Sequence, residues 1–126
     1  MSGAAVRAQV DQVTAEEFPK VVQRLVDILG GPNVAYLGGV TRTSALAEWI
    51  RGERAPKSED RENRLRLALQ LSLIIKERFS DKSVRAWFWG ANRRFEDNAP
   101  IAILGTQSLI KVQSALIGAA NEFVSL

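Results

Sequence analysis

Apolar residues recur along the chain at spacings of three and four, and nowhere do they alternate with polar ones long enough to describe a strand. In "VTAEEFPKVVQRLVDILGGPN", Val21, Val22, Leu25, Val26, Ile28 and Leu29 fall at helical spacing, and Gly30, Gly31 and Pro32 end the pattern. A start near Pro19, where a missing amide hydrogen costs nothing, is favoured over the capping-box pair Thr14 and Glu17. "NVAYLGG" predicts a short second helix capped by Asn33 and stopped at Gly38 and Gly39. "TRTSALAEWIRG" predicts a third, with Leu46, Trp49 and Ile50 on one face and Arg42, Thr43, Glu48 and Arg51 pointing elsewhere.

After the polar connector "ERAPKSED", where Pro56 forbids a continuous helix, "EDRENRLRLALQLSLIIKERF" predicts a long helix from about Ser58. It is apolar nearly all round beyond Leu65, which makes it central. "SDKSVRAWFWG" predicts a helix capped by Ser80 or Asp81 and ending at Gly90. "NAPIAILG" predicts another, capped by Asn98 and stopped by Gly105. The last segment, "TQSLIKVQSALIGAANEFVSL", carries Leu109, Val112, Leu116, Ala120 and Phe123 on one stripe. The expectation is an all-α fold of about seven helices, with short loops packing neighbours against each other.

Composition narrows the chemistry. With 126 residues, 46% of them apolar, the chain can bury a core of its own. It holds no Cys and no His, which removes disulfides, Cys/His metal sites and the Ser/His/Asp and Cys/His nucleophilic mechanisms. Its acids lie in charge-mixed helical stretches such as "SEDRENR", so no enzyme, cofactor or metal is expected. No apolar run is long enough to span a bilayer, and the first residues lack the apolar core of a signal peptide; a cytoplasmic protein is the simplest expectation. The net charge of +3 is mild, but residues 82–95 hold Lys82, Arg85, Arg93 and Arg94 without an acid.

Val34 to Ile50 has the parts of a helix-turn-helix: a glycine turn at Gly39, Val40 to plug the gap, and an anchored second helix. That leaves Thr41, Arg42, Thr43 and Ser44 at an exposed tip, suited to base edges and phosphates, with Arg51 and Arg54 following. An ordinary αα-hairpin needs the same glycine, cap and apolar face, and Glu48 would repel phosphate. Trp87, Phe88 and Trp89 cannot all face one core: either two are buried and one is exposed, or they anchor a partner. Arg93 and Arg94 either pair with local acids or meet an acidic partner. "NEFVSL" either frays or reaches into a partner's pocket through Phe123 and Leu126.

"GVTRTSALAEWIRGERAP" resembles the Xre-type helix-turn-helix, with Leu46, Trp49, Gly52, Arg54 and Pro56 at matching places, although Gly39 to Gly52 is one residue longer than usual. "AWFWGANRRFEDNAPIAILGTQSLIKVQSAL" resembles the C-terminal domain of Xre/MbcA/ParS-family antitoxins, through Trp87, Asn92, Phe95, Pro100, Ile101, Leu104, Gly105, Val112 and Leu116. The resemblance implies an antitoxin that occludes the active site of a RES-domain, NAD-degrading toxin. It also implies a homodimer with operator DNA as a second partner. Trp87, Trp89, Asn92, Arg93, Arg94, Phe123 and Leu126 are then the candidate toxin contacts, and Thr41, Arg42, Thr43, Ser44, Arg51 and Arg54 the candidate DNA contacts. The implied organisation is a flexible arm over 1–14, a helical region with the helix-turn-helix over 15–64, and a toxin-binding domain over 65–126. A stand-alone transcriptional regulator without a toxin is the alternative.

Overall fold

Helix α1 (Phe18–Leu29) begins where the proline signal places it, with Glu17 extended at the N-cap and Pro19 in the first turn. The computed structural model describes residues 16–126, so the arm over 1–14 and Thr14 lie outside the described residues. Phe18, Val21, Val22, Leu25, Ile28 and Leu29 are buried along one face. Gly30, at φ 88°, breaks the chain for a single residue and α2 (Gly31–Gly38) starts at once, with Pro32 in its first turn. This corrects the expected Asn33 cap: Asn33 sits inside α2 and its Nδ2 donates to the Leu29 carbonyl at 2.7 Å.

Gly39, at φ 75°, ends α2 in the left-handed conformation, and the Val40 amide reaches back to the Ala35 carbonyl at 3.0 Å. Helix α3 (Ser44–Ile50) follows; Thr41 to Thr43 belong to the turn, and Thr43 makes no side-chain cap. Leu46 and Trp49 anchor α3 in the core, and half-buried Val40 packs below the turn.

Helix α4 (Glu59–Lys76) is capped by Ser58, whose hydroxyl accepts from the Arg61 amide at 3.2 Å. From Leu65 to Ile75 almost every residue is buried, so α4 is the axis of the fold. It touches α1, α2, α5, α6 and α7. The expected boundary between residues 64 and 65 falls inside this helix, so both halves share one core. Its one buried cation, Arg64, ties α4 to α6: Nε bonds Asp60 at 2.7 Å, while Nη1 donates to the Leu104 and Gln107 carbonyls at 2.6 and 2.8 Å. Those carbonyls lie at the C-terminal end of α6, where helical acceptors lack internal donors.

Helix α5 (Asp81–Trp89) is capped by Ser80, whose hydroxyl accepts from the Ser83 amide at 3.3 Å, and it stops at Gly90. A 3-10 turn (Arg93–Phe95) leads into α6 (Pro100–Thr106). Here two expectations are corrected. The N-cap is Ala99, because Asn98 turns its amide to the Phe95 carbonyl at 3.0 Å, and Gly105 lies within the helix rather than ending it. Gly105 leaves room for Tyr36, whose ring would stand 2.6 Å from a Cβ there. Helix α7 (Leu109–Val124) buries Leu116 and Ala120 of the predicted stripe, while Leu109, Val112 and Phe123 are half-buried. Seven α-helices and no strand make up the described residues, and no described helix is long and apolar enough to cross a membrane.

Candidate functional site

The end of α5, the 3-10 turn and the last two turns of α7 enclose a groove of about 440 Å³. Its walls come from Ser83, Ala86, Trp87, Gly90, Ala91, Asn92, Arg93, Arg94, Ala119, Glu122, Phe123 and Leu126. Six of the seven candidate partner contacts therefore meet at one place, although they are spread over 40 positions from Trp87 to Leu126. Local chemistry explains how. The Asn92 carboxamide accepts from the Arg94 amide at 3.0 Å and opens the 3-10 turn. The Arg94 guanidinium then lies across Gly118 of α7, 2.8 Å from where a Cβ would stand, and pairs with Glu122 at 3.0 Å. Gly118 leaves the room in which the end of the Arg94 side chain lies against α7.

The floor is apolar. Trp87 is buried, with Phe88 edge-on to it at 5.1 Å, so its role is to build the floor rather than to project as an anchor. Phe123 is half-buried against Phe79, with ring centroids 5.0 Å apart. The tail neither frays at Asn121 nor extends from it: α7 continues to Val124, which is in the core, and Arg78 donates to the Val124 carbonyl. Leu126, 86% exposed, is the apolar side chain left at the groove mouth. Arg93 is exposed and has no ion pair among the described residues. Ser83, Ala119, Gly118 and Glu122 were missed by sequence reasoning; the i, i+4 spacing of Gly118 and Glu122 on α7 was the available signal.

Trp89 stands outside the groove. It is exposed, and its indole Nε1 donates to Asn33 Oδ1 of α2 at 3.1 Å. The triple aromatic run thus divides as two buried rings and one exposed ring. Arg85 is likewise committed elsewhere, donating to the Ile28 carbonyl at the end of α1 at 2.9 Å.

At the hairpin, Thr41, Arg42, Thr43 and Ser44 are all exposed and line a cleft of about 590 Å³ with Pro32, Ala35, Tyr36 and Val40. Arg42 has no ion pair among the described residues. The other two candidate cations are occupied. Arg51 holds Glu53 in a two-pronged pair at 2.7 and 3.0 Å, and Arg54 meets Glu48 at 3.2 Å. The hydrogen bonds and charge of the first pair raise the Arg51 pKa and hold the Glu53 carboxyl below its ordinary value. Glu48 thus answers Arg54, leaving the tip itself as the acid-free part of the hairpin. No group of three or more Asp or Glu side chains among the described residues is arranged to hold a metal ion.

No family model matches the chain, and no curated protein matches it. Among solved structures, a chain from the crystal structure of the M. tuberculosis MbcT–MbcA toxin–antitoxin complex matches with a TM-score of 0.64. The match is at 20% identity and covers 87% of this chain and 98% of that one. The all-α fold described above is the fold of that chain.

Proposed function

We propose that the protein is an antitoxin that binds a RES-domain, NAD-degrading toxin and blocks its active site from the α5–α7 groove. The observation that carries this reading is convergence: Trp87, Asn92, Arg93, Arg94, Phe123 and Leu126 line one groove, on a fold shared with a chain of a toxin–antitoxin complex. An apolar floor with the exposed Arg93 at its edge suits a protein partner, because interface energy concentrates at aromatic and arginine side chains framed by apolar contacts. The groove lacks the acid–base constellation that chemistry of its own would require, so inhibition is by occupation. In this reading the protein acts in the cytoplasm beside its toxin.

The test is co-expression with the neighbouring reading frame. Cellular NAD should be preserved by the unmodified chain and lost again with Arg93→Glu or Leu126→Asp, both at exposed positions. A neighbour that causes no NAD loss, or a rescue that both variants leave intact, refutes it.

A second reading concerns DNA. The exposed, acid-free tip from Thr41 to Ser44, with Arg42 in no ion pair among the described residues, supports autorepression by a homodimer on an operator with two half-sites. Arg51 and Arg54 stand paired with acids, so Arg42 carries most of the phosphate or guanine contact. In a mobility-shift titration Arg42→Ala should weaken operator binding, whereas Arg51→Ala should do little. A chain that binds operator but no toxin would be a stand-alone regulator.

A further inference from the structure

Two aromatic side chains stand in solvent away from the groove: Trp89 is 60% exposed and Tyr36 45%. Trp89 is held in place, because its only polar atom, the indole N–H, is committed to Asn33 at 3.1 Å. Asn33 is fixed in turn by its bond to the Leu29 carbonyl. With that bond made, the ring presents its apolar surface outward. Tyr36 follows Asn33 by three positions on α2 and rests against Gly105 of α6. In this way α2, α6 and the end of α5 share one outward face.

Acids are sparse in the segments that build this face, and Asp81 at the start of α5 is paired with Lys76 at 2.9 Å. Residues 28–47, 82–95 and 98–121 contain no Asp or Glu; their charged side chains are Arg42, Lys82, Arg85, Arg93, Arg94 and Lys111. Arg85 and Arg94 are committed to the Ile28 carbonyl and to Glu122. Lys82 lies seven positions before Trp89 on α5, the spacing of one helical face, and Arg42 shares its cleft with Tyr36. Neither has an ion pair among the described residues. Tracking a phosphate backbone needs a row of cations. Tyr36 beside Arg42, with Trp89 and Lys82 two turns apart on one line of α5, has instead the composition of a protein-binding hot spot.

We propose that this α2–α5–α6 face is a docking surface for an acidic protein partner, which places carboxylates against Lys82 and Arg42 and an apolar side chain over Trp89 and Tyr36. The proposal rests on the toxin-inhibitor reading in taking the toxin as that partner, and adds a contact surface beyond the groove. Binding of the full chain to the toxin encoded beside it is measured by calorimetry at two salt concentrations. Trp89→Ala and Tyr36→Ala should each weaken it by about tenfold, and the pair R42E and K82E together by about a hundredfold, with shallower salt dependence. Trp89→Phe, which keeps an apolar ring but drops the Asn33 bond, should retain most of the affinity and shows that the ring is what is read.

If the unmodified chain does not bind the toxin, the toxin-inhibitor reading falls and this proposal with it. If the unmodified chain binds, Arg93→Glu weakens it and the face variants bind normally, the groove reading stands and the second surface is overturned. Face variants that lose only duplex-DNA binding or only self-association, with toxin affinity intact, overturn it equally.

Discussion

Arg64→Met tests how the two halves of the fold are joined. The substitution keeps the aliphatic stem and deletes the guanidinium that bridges Asp60, the Leu104 carbonyl and the Gln107 carbonyl. Leu104 is fully buried, so its carbonyl is left without a donor or water, a loss of about 1–3 kcal/mol. Gln107 is exposed and its carbonyl can be rehydrated, which holds that loss to about 1 kcal/mol. The Asp60 side chain is 51% exposed, and a pair that open to solvent contributes only about 0.5 kcal/mol. The sum is about 3 kcal/mol, a large share of the 5–15 kcal/mol typical of a domain. For a chain of this size it should lower the melting midpoint by about 10 °C. Asp60→Ala should cost under about 1 kcal/mol, because both carbonyl bonds survive. Thermal unfolding followed by circular dichroism reads both. An Arg64→Met midpoint equal to that of the unmodified chain, or an Asp60→Ala loss as large as that of Arg64→Met, would refute the carbonyl clamp.

Gly38→Ala would set a Cβ 2.7 Å from the ring of Trp49, which is itself buried and cannot swing aside; overpacking of about 1–3 kcal/mol should appear in urea unfolding. Gly118→Ala meets only the flexible end of Arg94, so stability should change by under about 1 kcal/mol while the Arg94–Glu122 pair breaks and, on the proposed inhibitor function, toxin affinity falls. A carboxyl titration by NMR should place Glu53 below its ordinary value of 4.5. That pair's contribution is therefore present at neutral pH and fades as pH falls through the lowered value, but both side chains are more than half exposed, so the unfolding midpoint should not register it.

The helices were legible because each carries its own local signal. Ser58 marked the start of α4, Ser80 or Asp81 the cap of α5, Pro19 the start of α1, and the all-round apolarity after Leu65 the central position of α4. Local reasoning went astray where a residue answers a distant partner: Asn33 looked like a cap and is a bridge to Trp89, and Gly105 looked like a stop and makes room for Tyr36. Arg64 was invisible for the same reason, since its acceptors lie 40 and 43 positions away. Asn98 failed for a local reason, since its amide turns back three residues to the Phe95 carbonyl instead of forward to α6. The groove was half legible. Aromatics and cations could be named from the run around Trp87, but only packing assigns Trp87 and Phe88 inward and Trp89 outward.

Because α4 runs unbroken beneath both the hairpin and the groove, neither surface owns a foundation of its own. A cut in α4, or the loss of either end of the chain's core, removes both together. If one pool of the chain restrains a toxin and an operator in turn, proteolysis of its opened molecules depletes both restraints together, so toxin activity and renewed synthesis of its inhibitor start from a common clock.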